Sequence, residues 1–425
     1  MNIGIFTDTF SPCTNGVVDA VWRVCKGFQK EGHKVHLFAL SDRDSDEVID
    51  KVIIHKFKAK TFTFYPDLLI RYSLPLRRVF RIIKKERIEV LHSNVNLCMG
   101  LCALLASVFK KKPLITTFHT LIPEFVELFF ASCDKGDTKQ PMLLKIMEKL
   151  RLKRPLLWVA RKFIWYWMRY FNTAEWLIVP SEYTKRILIK HGLSSKRIIV
   201  VPNPINTKRK LTLNRKENQL LHVGRLSAEK RVDVFIKALK YVKHDFKAII
   251  TSDGPLKNYL IKLATKEGVI DKIKFTGFVS KQALNKYYDE STLFVSAAEY
   301  DTFNNCIAEA LAHGMPVIIS HNSGATDFVK HGKNGLIINN DNPMVYAKKI
   351  DWLLFNQDIR KTLSSTAEKI RDYTSIDNIT KSLEGVYNSL SNNTRLSKLK
   401  NFMIYGVGAV FIYSVIFTGM IFERK

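Results

Sequence analysis

Ala298-Glu299-Tyr300-Asp301-Thr302-Phe303-Asn304-Asn305-Cys306-Ile307-Ala308-Glu309-Ala310-Leu311-Ala312-His313-Gly314-Met315-Pro316 sets Asp301 and Glu309 eight positions apart, across a loop and the start of a helix. The apolar run Leu293-Phe294-Val295 precedes it, and Val317-Ile318-Ile319 follows the helix-ending pair Gly314 and Pro316. The reading is therefore one strand–helix–strand unit. Ile307, Ala310 and Leu311 fall at helical spacing and should face the sheet, leaving Glu309 at the side of the helix. The backbone N–H groups around Phe303, Asn304 and Asn305 would form the helix N-terminus, where unpaired donors and the helix dipole favour phosphate. On this segment alone, Asp301 as a cap and Glu309 as a solvated helix residue remain an open alternative.

Working outward, the same rhythm recurs on both sides. Toward the N-terminus of this half lie Leu220 to Val223, a helix from Ala228, Lys247 to Thr251, a helix from Pro255, Lys274 to Thr276 and a helix from Lys281. The first half shows strands at Ile3 to Phe6, Val35 to Leu40, Ile88 to Leu91, Leu114 to Phe118, Leu177 to Val179 and Ile198 to Val201, with helical patterns between them. Such alternation predicts parallel sheets covered on both faces. The polar, basic stretch Asn206 to Asn218 reads as a linker. The expected fold is α/β: two facing Rossmann-like domains, at 1–205 and 206–370, with a cleft between the carboxyl ends of their sheets. Helices over 371–400 are expected to pack back on the first domain.

The chain has 425 residues, 46% hydrophobic and 11% aromatic, which excludes global disorder. Its net charge of +28 calls for an acidic partner: nucleic acid, an anionic membrane surface or a phosphorylated substrate. No compact nucleic-acid-binding motif occurs, and the cations lie among aromatic and apolar residues, so nucleic acid is not expected. The six cysteines form no CxxC pair or zinc-like spacing and read as reduced, mostly buried thiols. Met1 leads directly into a strand pattern without a basic leader, so no secretory signal is expected. Residues 402–422 carry no charge. At about 1.5 Å per residue they reach roughly 30 Å, enough for a transmembrane helix. Arg395, Lys398 and Lys400 flank one end and Arg424 and Lys425 the other, so the rest of the chain should lie on one side, the cytosolic one.

Two loops carry further chemistry. After the first strand, Asp8-Thr9-Phe10-Ser11-Pro12-Cys13-Thr14-Asn15-Gly16 ends in Asn-Gly at a helix start, where Gly16 lets backbone approach a phosphate; a plain turn is the alternative. This is neither GxGxxG nor a Walker loop, which argues against a dinucleotide enzyme or an NTPase. Val223-Gly224-Arg225-Leu226-Ser227-Ala228-Glu229-Lys230 lies between strand and helix, so Arg225 and Lys230 can clamp a diphosphate, the first as a fork and the second as a point charge.

The collinear set of Gly224 to Lys230, Asp253-Gly254-Pro255, Phe275-Thr276-Gly277-Phe278-Val279, the Asp301 to Glu309 segment and Pro180-Ser181-Glu182-Tyr183-Thr184 resembles glycosyltransferase family 4 over about residues 1 to 390. The family is one of retaining enzymes with two Rossmann-like domains, the GT-B type. Within it the chain is most similar to lipid glycosyltransferases: diacylglycerol glucosyltransferases, sulfoquinovosyl diacylglycerol synthases and phosphatidylinositol mannosyltransferases. The resemblance implies that Arg225 and Lys230 hold the donor diphosphate and that Glu309 binds the ribose hydroxyls. Gly16, Asn304 and Asn305 would bring amides to the donor, and His119 would stand beside the transferred sugar. Asp301 takes the place of the family's first glutamate, one methylene shorter, and Asn304 stands where glycine is frequent. No metal and no cofactor is implied; a nucleotide diphosphate sugar is the donor substrate, a uridine sugar favoured and GDP-mannose the alternative, and a membrane lipid such as diacylglycerol or phosphatidylinositol the acceptor. A soluble-acceptor polysaccharide or glycan enzyme of the same fold, or a non-catalytic membrane-bound relative, are the competing readings.

Two features point to the membrane. Arg77, Arg78, Arg81, Lys84, Lys85 and Arg87 interleave with Leu76, Val79, Phe80, Ile82 and Ile83, a basic amphipathic helix of the kind lipid-acting members dock on anionic membranes. Lys145 to Arg169, with Trp158, Trp165, Tyr166 and Trp167, reads as a second interfacial surface. Asp42-Arg43-Asp44-Ser45-Asp46 contains a DxD string of the sort metal-dependent glycosyltransferases carry, but it lies far from the other motifs and reads as a solvated loop.

Overall fold

The computed structural model describes residues 1–10, 15–61, 71–94, 98–121, 165, 172–205 and 215–390. These divide into two compact units, one of residues 1–119, 165, 172–204 and 376–390, the other of residues 120–121, 205 and 215–375.

The first unit is built on strands β1 (Asn2–Thr7), β2 (Lys34–Ser41), β3 (Ser45–Ile49) and β4 (Val52–Lys58), followed by the two-residue strands β5 (Lys60–Thr61) and β6 (Arg71–Tyr72). β7 (Val90–Ser93), β8 (Leu114–Thr117), β9 (Trp176–Val179) and β10 (Ile198–Val200) complete it. Eight of these form one sheet in the order β10-β9-β8-β7-β1-β2-β4-β3. All its pairings are parallel except β3 with β4. Strands β3 and β4 have no counterpart in the expected order: β3, with Asp46 and Glu47, resembles a polar loop more than a buried strand, while β4 buries Val52, Ile54 and Phe57. Ser45–Ile49 survives as an edge strand with only intermediate or exposed residues.

The second unit holds β11 (Gln219–Val223), β12 (Lys247–Thr251), β13 (Ile273–Gly277), β14 (Leu293–Ser296), β15 (Val317–Ser320) and β16 (Gly335–Ile338). Their order is β13-β12-β11-β14-β15-β16, all parallel. Alternate residues explain why these short runs are apolar throughout. Leu220, Ile250, Val295 and Ile318 enter one core, while their neighbours Leu221, Ile249, Phe294, Val317 and Ile319 enter the core on the opposite face. The order in which successive strands are added reverses between β11 and β14, and ligands of open α/β sheets bind outside the carboxyl ends at such a point.

The helix Ile376–Asn388 belongs to the first unit, not the second. It packs on the helix Gly16–Lys30 so closely that a Cβ on Gly27 would overlap Thr380 Oγ1. Tyr387 stacks on Phe28 at 4.8 Å and its hydroxyl lies 2.5 Å from His92 Nδ1.

The basic helix Leu76–Lys85 forms as the sequence predicts, but its apolar face is spoken for. Val79, Ile82 and Ile83 are buried, so this face cannot enter a bilayer while the unit stays folded. What remains outside is the stripe Arg77, Arg81, Lys84 and Lys85. Arg78 turns back to Asp44 at 2.6 Å and Asp46 at 2.9 Å, and Asp46 also meets His55 Nδ1 at 2.8 Å. Asp44 and Asp46 are thus ion-paired rather than merely solvated. Trp165 is likewise buried, stacked on His191 at 3.7 Å, and offers no interfacial ring; the other aromatic residues of 145–169 lie outside the described residues. Among the described residues no helix is long and apolar enough to cross a membrane, and residues 402–422 lie outside them.

Candidate active site

The loops after β11 and β14, on either side of the reversal point, carry the site of the second unit. After β11 the chain does not enter a regular helix at Ala228. Ala228–Lys230 is a single 3-10 turn, Arg231 then takes a left-handed conformation at φ 47°, and the helix begins at Val232. This pause lets Lys230 and Arg231 point at the β14 loop instead of lying along a helix surface.

Lys230 Nζ stands 2.5 Å from Asp301 Oδ2, with both side chains about four-fifths buried. Burial alone would lower the Lys230 ammonium, but the carboxylates of Asp301 and Glu229 outweigh it and hold the group above its ordinary value. The lysine is therefore a fixed positive charge. Its aliphatic stem lies over Gly224, where an added Cβ would touch Cδ and Cγ at 3.7 and 3.8 Å. Arg225 is half-buried in the same loop. The Ser252–Gly254 turn braces that loop from β12: Leu226 N–H donates to Asp253 O at 3.0 Å and Leu256 N–H to Leu226 O at 2.9 Å. Gly254 is required there, since a Cβ would fall 2.6 Å from Leu226 O.

On the β14 side Tyr300 and Asn304 both adopt positive φ, 57° and 66°. Tyr300 N–H donates to Asn322 O at 2.8 Å, and Asp301 O accepts from Gly324 N–H at 2.7 Å, so the loop is anchored to the chain after β15. Asp301 is not the helix cap; Asn304 occupies that position before Asn305–Ala312 and makes no side-chain capping bond. The left-handed turn explains why glycine suits this place, and asparagine is the side chain that tolerates it best. Glu309 lies at the side of the helix, 3.3 Å from the Tyr288 hydroxyl, which also donates to Cys306 O. Cys306 is a free, half-buried thiol pushed up to about 12 by burial and the Glu309 charge.

The residues expected in the first unit are placed at its own reversal point, between β1 and β7. Asn15 caps the helix Gly16–Lys30, its Oδ1 accepting from Val17 N–H at 3.0 Å and Val18 N–H at 2.9 Å, and Gly16 is exposed at the helix start. Asp8, buried, accepts from Met99 N–H at 2.7 Å and so joins the β1 loop to the helix Cys98–Lys110. His119 Nε2 meets Asn94 Oδ1 at 3.1 Å, and burial pushes the ring down to about 4, leaving it neutral at pH 7. Below it in the sheet His92, buried between Tyr387 and Thr117, is pushed down to about 3 by burial and by His119.

Open α/β sheets bind ligands at such a reversal point, and a helix N-terminus with cations beside it favours phosphate. The pattern described as Glycosyl transferases group 1 matches residues 205–370, and that described as Glycosyltransferase Family 4 matches residues 14–209. The chain is a family 4 glycosyltransferase. This enzyme is similar over 413 residues, at 26% identity, to the alpha-monoglucosyldiacylglycerol synthase of Acholeplasma laidlawii, covering 94% of this chain and all of that one. It is 23% identical to a GDP-mannose-dependent alpha-mannosyltransferase of Corynebacterium glutamicum, over 88% of this chain and 86% of that one. The fold of Anabaena HepE, solved with UDP-glucose, matches 92% of this chain and the whole of that one with a TM-score of 0.67 at 16% identity. The transferase is thus a nucleotide-sugar-dependent hexosyltransferase with the two-domain GT-B fold.

Arg231, Glu299 and Asp341 escaped the sequence reading. No motif marks them, and only the folded loops bring them together.

Proposed function

We propose that this glycosyltransferase moves a hexose from a nucleotide diphosphate sugar, UDP-glucose before GDP-mannose, to a membrane lipid such as diacylglycerol or phosphatidylinositol, with retention at the anomeric carbon. The observation that carries the reading is the Lys230–Asp301 pair beside Arg225, at the end of the sheet where a donor's phosphates belong. As the sugar–oxygen bond breaks, negative charge grows on the departing diphosphate. Lys230, Arg225 and the amides at Gly16, Asn304 and Asn305 stabilise it without reorganisation, so no metal is needed. Asp301 and the neutral His119 position the sugar, Glu309 takes the ribose hydroxyls, and a donor phosphate oxygen accepts the acceptor's proton.

The lipid acceptor is supported by the whole-length likeness to a diacylglycerol-acting relative and by the exposed Arg77, Arg81, Lys84 and Lys85 stripe, which suits an anionic membrane surface. Residues 402–422 would add a single membrane span, with the catalytic domains on the cytosolic side. The test is mass spectrometry of products from vesicles of anionic phospholipid containing diacylglycerol or phosphatidylinositol, fed each donor in turn. A glycolipid heavier than its acceptor by one hexose supports the proposal. Transfer only to soluble oligosaccharides would replace it with the glycan-building alternative, and donor hydrolysis absent with every nucleotide sugar would favour a non-catalytic relative.

A further inference from the structure

Behind the Lys230–Asp301 pair lies a second ionic group. Arg231 Nη1 is 3.0 Å from Glu299 Oε1 and 3.0 Å from Asp341 Oδ2, with its Nε 3.7 Å from Asp233 Oδ1. The four residues come from three places in the sheet: the loop after β11 with the helix it starts, the loop after β14, and the loop after β16. Neighbours in sequence therefore form two rungs between the same two loops, Lys230 to Asp301 and Arg231 to Glu299. Glu299 N–H donates to Glu229 O at 2.9 Å and ties the backbones between them. The left-handed Arg231, held at φ 47°, is the residue whose conformation turns both cations the same way.

We propose that Arg231, Glu299 and Asp341 are positioning residues: they hold the Lys230 ammonium and the Asp301 carboxylate in register for the donor diphosphate and touch no substrate themselves. This rests on the reading of Lys230 as part of the diphosphate clamp. The charges are arranged for that task. One guanidinium faces three carboxylates: its Nη1 bridges Glu299 and Asp341 on two loops while its Nε faces Asp233, a spread of donors over a rigid plane that the compact lysine ammonium does not reproduce. Burial and the hydrogen bond from Asp341 hold the Glu299 carboxyl above its usual range, with Arg231 opposing them. Other titratable groups packed nearby are the Tyr346 hydroxyl, buried on the helix Pro343–Phe355, Glu229 on the 3-10 turn, Lys237, whose Nζ lies 3.7 Å from Asp233 Oδ2, and Tyr259, which feels the Asp233 charge.

The experiment is a double-mutant comparison on the full chain, reading calorimetric affinity for UDP and for GDP together with turnover of UDP-glucose and GDP-mannose. Arg231→Gln should weaken binding of the preferred nucleotide diphosphate about tenfold, and Glu299→Gln should do the same in smaller measure. Because Arg231 acts through Lys230, Arg231→Gln combined with Lys230→Gln should bind no more weakly than Lys230→Gln alone. Arg231→Lys, which keeps charge but not the fork, should recover part of the loss. In wild type, affinity should show an ionisation above the usual glutamate range that disappears in Glu299→Gln. Losses that multiply in the double variant, or an Arg231→Gln chain binding as wild type while Lys230→Gln is impaired, would overturn the inference. If Lys230→Gln itself binds and turns over normally, the clamp reading fails first. Should Arg231→Gln not fold, the milder Glu299→Gln and Arg231→Lys variants carry the same comparison.

Discussion

Replacing Lys230 by methionine separates what its charge does from what its stem does. The methionine keeps an apolar stem of similar length over Gly224, with sulfur in place of Cδ, and removes the ammonium 2.5 Å from Asp301. A wholly buried pair broken on one side costs roughly 3–5 kcal/mol, because the surviving charge has no counter-ion. Here the side chains are 22% and 17% exposed, and water reaching Asp301 reduces the expected loss to about 2–3 kcal/mol. The catalytic loss should be separate and larger in effect. Removing one preorganised donor from a developing anion lowers kcat by about 10²–10³. Urea unfolding at pH 7 gives the first number and hexose transfer to lipid in the same preparation gives the second. Since the Lys230 ammonium is held above its ordinary value of 10.5, its contribution to stability is complete below that pH and is lost as pH rises through the higher folded value. Wild type and variant should therefore differ by a constant amount from pH 7 to 9. A folded Lys230→Met enzyme working within threefold of the wild-type rate would refute the argument.

The remaining expectations concern other parts of the molecule. His36, His92 and His222 are buried and pushed down to about 4, 3 and 4, chiefly by burial. The unfolded chain takes up their protons from pH 6.5 downward while the folded chain does not, so from these three rings stability should fall by about 4 kcal/mol per pH unit near pH 5. Circular dichroism between pH 7 and 4 measures it, and a flat profile would contradict the burial. Asn304→Gly should change stability by less than about 0.5 kcal/mol, whereas Asn304→Val at the same positive φ should cost at least roughly 1–2 kcal/mol; thermal unfolding of both variants decides. Reversing Arg77, Arg81 and Lys84 to glutamate should weaken co-sedimentation with anionic vesicles more than a hundredfold, at about 1 kcal/mol per cation removed, while transfer to detergent-dispersed lipid is retained. Unchanged vesicle binding would remove this helix from the membrane surface.

Much was legible before folding. Apolar runs separated by helical patterns specify parallel strands covered on both faces, because each strand must feed two cores, and the Leu220/Leu221 and Ile249/Ile250 alternation does so. Gly254 and Asn304 stand where backbone comes close and where it turns left-handed, since such demands are local. The exceptions are instructive. Strand β3 was hidden because its partner β4, not its own composition, stabilises it. The helix Leu76–Lys85 showed both its faces in sequence, yet its periodicity says nothing about whether the apolar face meets protein or lipid.

By itself the sequence determined the class of fold and the order of the motifs, because periodicity, turn residues and glycine positions act over a few residues. Only tertiary structure decided that Lys230 meets Asp301 across 71 positions, that Arg231 gathers Glu299 and Asp341, and that the helix Ile376–Asn388 joins the first unit. Those pairings depend on strand order and on one left-handed residue. Charge attraction acts through space, and the chain's linear order carries no record of which carboxylate a given cation will find.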